Sequence, residues 1–169
     1  MSQKFLIAGG EIDILILKKL IPKQYADHLK FVAGKGYSDA TSLASSLLYD
    51  RPNSYVILVL DADTTDASLI QERYDFLEWQ LNRMSVERSY AIFLFVPMIE
   101  ALFIDNKIMQ YEQKLSVGPK AVFEEMLKNK NTSAAEFMEN LSPSDIKKLR
   151  NDQTVQGIIS AVQHEAVHT

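Results

Sequence analysis

The chain lacks cysteine altogether, so neither a disulfide framework nor a thiolate metal site is open to it, and a reducing compartment such as the cytoplasm is the expected setting. It also lacks an excess of basic charge. Its 18 Lys and Arg stand against 22 Asp and Glu, giving a net charge of -4, which excludes a broad electrostatic footprint on nucleic acid. The densest basic runs, KNKN at 128–131 and KKLRND at 147–152, read as solvated helix ends. Long hydrophobic runs are missing as well. The longest, YAIFLFVPMIEALFI from Tyr90 to Ile104, is broken by Pro97 and Glu100 and falls short of the roughly 20 residues that a spanning helix needs, so no membrane partner is expected. The opening MSQKFLIAGGEID turns polar too soon for a secretory signal. Internal repeats and low-complexity tracts are absent.

What remains is a chain of 169 residues, 47% hydrophobic, enough for one compact domain over 1–169 with a core of useful size. Short apolar runs alternate with helical periodicity. KFLIA at 4–8 reads as a buried strand, followed by a Gly9-Gly10 turn and a helix from Glu11 to Leu20 that Pro22 stops. LKFVAG at 29–34 reads as a second strand, GKGYSD as a turn with Ser38 and Asp39 as caps, and ATSLASSLLY at 40–49 as the next helix. SYVILVL at 54–60 is apolar on both faces, as a central strand covered on both sides should be. A helix over 67–84 follows, with Ile70, Tyr74, Leu77, Leu81 and Met84 as its buried stripe and Trp79 at a packing edge. SYAIFLFVPM is the fourth strand, and after it only short helices are expected. Alternation of this kind implies right-handed crossovers and an α/β, doubly wound, mainly parallel sheet of about four strands, extended by C-terminal helices from about residue 106.

Acids recur where such sheets bind ligands, at the carboxyl ends of strands. Glu11 follows the first strand, Asp61 and Asp63 end the third in VILVLDADTTD, and Glu100 follows the fourth in FVPMIEALF. Residues two apart on a strand share a face, so Asp61 and Asp63 can present oxygens together to a hard cation such as Mg²⁺, which takes carboxylate ligands. The simpler alternative makes Asp61 and Asp63 caps of the following turn and helix, and Glu100 an ordinary helix-start acid. Lys35, between Gly34 and Gly36, is a candidate contact for a phosphate, with a solvated turn lysine as the plain alternative.

The ordered set of a strand and glycine turn with an acid, GKGYSD, a strand ending in DAD, and PMIE resembles a TOPRIM domain, chiefly the OLD-like nucleases and stand-alone bacterial forms, over about residues 4–105. The resemblance implies Mg²⁺- or Mn²⁺-dependent phosphoryl transfer on nucleic acid, with Asp61 and Asp63 as the metal-binding pair and Glu100 extending the metal shell. The family's first motif reads like VEGxxD. Here the matching stretch is AGGEID: Asp13 matches the final Asp, but Gly9 stands where the catalytic Glu belongs. Either Glu11 supplies that acid or base, or the scaffold has lost chemistry and serves binding or regulation. OLD-like systems pair the domain with an ATPase, so the resemblance also implies a protein partner that brings the acidic chain to nucleic acid.

Two rival motifs rank lower. DADTT resembles the DxDxT of haloacid-dehalogenase phosphatases, but no strand after Val96 offers that family's last acidic pair. His164-Glu165-Ala166-Val167-His168 matches the HExxH zinc-protease string, yet on a helix both histidines fall opposite the apolar stripe of Val155, Ile158, Ile159, Val162 and Ala166, and no third ligand follows.

Overall fold

Four strands carry the centre of the molecule in a computed structural model that describes residues 3–109 and 118–163: β1 (Lys4–Ala8), β2 (Leu29–Ala33), β3 (Tyr55–Asp61) and β4 (Tyr90–Phe95). They form one all-parallel sheet in the order β2-β1-β3-β4. Strands joined in parallel need crossovers, and helices supply them: α1 (Glu11–Leu20) with the one-turn α2 (Lys23–Ala26) between β1 and β2, α3 (Tyr37–Asp50) between β2 and β3, and α4 (Ala67–Met84) between β3 and β4. Beyond β4 come α5 (Ala101–Asp105), α6 (Pro119–Asn129), α7 (Ala134–Glu139), α8 (Pro143–Arg150) and α9 (Gln153–Gln163). The fold is therefore α/β and doubly wound, with a C-terminal helical set, as the alternation of periods implied. None of the described helices is long and apolar enough to cross a membrane.

Strand alternation divides the core into two layers. Ile57 and Val59 of β3, with Leu6 and Ala8 of β1, face α1 and the C-terminal helices, in a cluster that includes Phe103, Phe123, Leu149 and Ile158. Val56, Leu58 and Leu60, with Ile7, face the other way onto Ala40, Ala44 and Leu48 of α3 and Leu77 and Leu81 of α4. The first layer is anchored by three phenylalanines: Phe103 stacks on Phe123 at 5.3 Å, and Phe137 meets them edge-on at 5.4 and 5.6 Å. Phe103 and Phe123 are fully buried, each worth roughly 2–3 kcal/mol of transfer free energy. Two long-range hydrogen bonds join the ends of the chain: Arg150 Nε donates to the Leu20 carbonyl at 2.7 Å, and Lys4 Nζ to that of Val162 at 2.7 Å.

Some element boundaries differ from the sequence reading. Helix α3 begins at Tyr37, so Ser38 and Asp39 lie in its first turn instead of capping it. Gly36 is the cap residue, at φ 105, a conformation open to glycine and strained for other residues, and Asp39 Oδ2 accepts the Lys35 amide at 2.7 Å. Pro22 ends α1 as expected but also opens α2. On α4, Leu77 and Leu81 are buried and Ile70 and Met84 half-buried, whereas Tyr74 remains 37% exposed and Trp79 55% exposed. The stripe of α9 is as expected through Val162, and the HExxH segment lies outside the described residues.

Candidate metal centre

The order β2-β1-β3-β4 sends the chain leaving β1 to one face of the sheet, through α1, and the chain leaving β3 to the other, through α4. The carboxyl ends of β1 and β3 therefore flank a topological switch point, the crevice where open α/β sheets take their ligands. Three acids meet there. Asp13, Asp61 and Glu100 each place a ligand oxygen so that no two are more than 4.8 Å apart.

Each acid arrives for a local reason. Strand alternation puts Asp61, the last residue of β3, on the face of Ile57 and Val59, toward α1. Its Oδ1 accepts the Ile99 amide at 2.8 Å, which fixes the segment after β4 against the end of β3. Asp13 sits in the first turn of α1 behind the extended Gly10, whose backbone amide favours the ionised form of the Asp13 carboxylate. Glu100 precedes α5 and is only 2% exposed, yet its Oε2 has no hydrogen-bond partner among the described residues. A buried carboxylate oxygen without a donor is expensive unless something positive fills the gap.

The electrostatics agree with that geometry. Burial, then the Asp13 charge, pushes the Asp61 carboxyl from 3.8 up to about 7, against the lowering effect of the Ile99 amide; Glu100 and Asp63 add smaller upward pushes. Burial also raises Asp13 and Glu100, and for both the Lys120 ammonium pulls in the opposite direction. Crowded carboxylates held above their ordinary range are what a bound cation relieves.

The nominated residues divide accordingly. Asp61 and Glu100 are in the cluster. Asp63 is not: β3 stops at Asp61, and Asp63 is exposed with φ 54, its amide bonded to the Pro97 carbonyl at 2.8 Å, so the two-residue periodicity of a strand no longer applies. Its charge still reaches Asp13 and Asp61. Neither aspartate caps the next helix, because Asp66 does so, its Oδ1 accepting the Ser68 and Leu69 amides. Glu11 is exposed at the first position of α1 and outside the cluster. Asp13, noted only as a motif match, is a cluster member. Lys35 is exposed in its turn. A β-carbon at Gly9 would stand 3.6 Å from Asp13 Oδ2, so a side chain at that position would border the cluster.

Lys120 went unnoticed in the sequence. It lies in the first turn of α6, after Gly118 and Pro119, where the helix dipole disfavours a cation. A lysine in the wrong place for its own helix was the available signal.

All donors in the cluster are carboxylate oxygens, the set that hard divalent cations choose over softer metals. Opposite ligands of a bound Mg²⁺ are about 4.2 Å apart, and those of Ca²⁺ closer to about 4.8 Å, so the cluster fits such an ion with small side-chain adjustments. The chain matches no protein-family model, and no curated protein matches it.

Proposed function

We propose that the chain is a TOPRIM-like domain that binds Mg²⁺ or Mn²⁺ through Asp13, Asp61 and Glu100 and carries out nuclease-like phosphoryl transfer on nucleic acid. The observation that carries this reading is the meeting of three carboxylates at the switch point, one of them a fully buried Glu100 with an unpartnered oxygen. When bound, the cation supplies charge neutralisation at a phosphate and lowers the pKa of water. The chain's own residues hold that charge in place. Asp61 anchors the segment bearing Glu100, the Gly10 amide favours the charged form of Asp13, and Lys120 adds a positive group beside the acids on which a phosphate can rest. The acidic chain needs a basic partner or an ATPase subunit to hold nucleic acid firmly.

A second reading, favoured by Gly9 and by the exposure of Glu11, is a metal-binding regulatory module without a proton-transfer group. Titration calorimetry with Mg²⁺ and Mn²⁺, paired with cleavage assays on single-stranded DNA, duplex DNA and RNA, separates the two. Uptake by wild type and none by Asp61→Ala, with cleavage lost in the same variant, supports the nuclease. Uptake without cleavage of any substrate supports the regulatory module, and no uptake at all rejects both.

A further inference from the structure

Helix α4 carries two apolar stripes, and the sheet uses only one. Leu77 and Leu81 are buried against the sheet layer, while Leu69 is 44%, Phe76 58% and Trp79 55% exposed on the far side, and Val86 just beyond the helix is 80% exposed. The outer residues keep a strict register. Leu69, Glu72, Phe76, Trp79 and Arg83 follow one another at alternating steps of three and four, the a and d positions of a heptad seam that ends with the helix at Met84. Such a seam belongs in a helix pair, and among the described residues nothing covers it.

We infer that this face pairs with the same face of a second copy, the two α4 helices lying antiparallel about a two-fold axis. Antiparallel seams set each a position against a d position of the partner. Here that places Phe76 against Trp79 and Glu72 against Arg83, each contact occurring twice by symmetry. A parallel arrangement would instead set Glu72 against Glu72 and Arg83 against Arg83, which like-charge repulsion disfavours. Charge thus selects both the orientation and the occupant, because the acidic and basic positions of this seam complement each other.

The face is also prepared for contact. The rings of Phe76 and Trp79 lie 5.9 Å apart, tilted by 31°, and the Arg83 guanidinium rests 4.5 Å over the Trp79 ring. Aromatic and arginine side chains already held against one another lose little freedom on binding, and these are the residue types that anchor protein interfaces. Glu72 makes no ion pair among the described residues, whereas Glu78, off the seam, is paired with Arg88 at 2.9 Å. This pairing is independent of the metal centre, which sits at the sheet's rim.

The test uses the whole chain and its single tryptophan, Trp79, as a reporter lying in the seam. Sedimentation equilibrium of wild type should show a concentration-dependent shift from the 19.2 kDa chain to twice that mass, with Trp79 emission moving to the blue along the same curve. Phe76→Asp should weaken association by at least about ten-fold. Glu72→Arg and Arg83→Glu, each placing like charges together, should do the same, and the double exchange Glu72→Arg with Arg83→Glu should restore the dimer. All three positions are solvent-facing, so circular dichroism should show unchanged helix content. A chain that stays monomeric at high micromolar concentration overturns the inference and leaves the face to some other partner. A dimer indifferent to Phe76→Asp, or a double exchange no better than the single changes, overturns it equally.

Discussion

Replacing Asp61 by Asn should make the metal-free protein more stable while depriving it of metal. Burial and the neighbouring acids hold the Asp61 carboxyl at about 7 instead of 3.8. A raised acid pKa favours the folded state below the unfolded value, and that contribution is lost as pH climbs through the window from about 4 to 7. At 1.36 kcal/mol per unit the full rise corresponds to about 4 kcal/mol, and proton sharing among Asp13, Asp61 and Glu100 reduces it, so about 2–4 kcal/mol should return on neutralising the side chain at about pH 8. The amide keeps an oxygen for the Ile99 N–H, and its own N–H groups face two carboxylates, so the 2.8 Å bond and the local packing survive. Urea denaturation of chelator-treated protein at about pH 8 and about pH 4 measures the difference, with the gain present at the first and gone at the second. Mg²⁺ at a hundredfold excess over Kd should stabilise wild type by about 2.7 kcal/mol, offsetting most or all of the variant's gain, and leave the variant unmoved. A variant no more stable than wild type at the higher pH, or equally advantaged at both, refutes the reasoning.

Two further outcomes test other parts of the structure. On the proposed nuclease reading, Lys120→Ala should raise KM for a nucleic-acid substrate several-fold with metal affinity unchanged or slightly strengthened, since the lysine would serve the substrate's phosphate and not the metal; calorimetry and steady-state kinetics check the two halves. Gly34→Ala should destabilise the fold by about 1–3 kcal/mol in thermal or urea unfolding, because its β-carbon would fall 2.8 Å from the Ala40 backbone nitrogen, which cannot swing aside.

The strands and the long helix were legible in the sequence because each depends on a period that neighbouring residues enforce together: VILVL could only be a strand covered twice, and 67–84 kept its helical spacing from start to finish. The candidate site was legible in part. Asp61 and Glu100 stood at strand ends, where topology alone draws acids together. Asp63 was misplaced because the same-face rule assumes that the strand continues, and here the strand ends at Asp61 and Asp63 itself is left-handed. Asp13 was undervalued because its approach depends on how α1 enters from the extended Gly10, a feature that no periodicity reports. The pull of Lys120 on acids 20 and more residues earlier in the chain is a tertiary fact. The α3 boundary shifted because Gly36 can adopt a positive φ and let the helix begin three residues sooner than Ala40.

The helices after β4 complete one wall of the building. Phe123, Leu149, Val155 and Ile158 lie in the same layer as Leu6 and Ile57, and two side chains, from opposite ends of the sequence, grip main-chain carbonyls across the gap. Shorn of that wall, the sheet would turn an oily flank to water on the very side where Asp61 and Asp13 meet. The cluster owes its low-dielectric seclusion to the last third of the chain as much as to the strands that bear it.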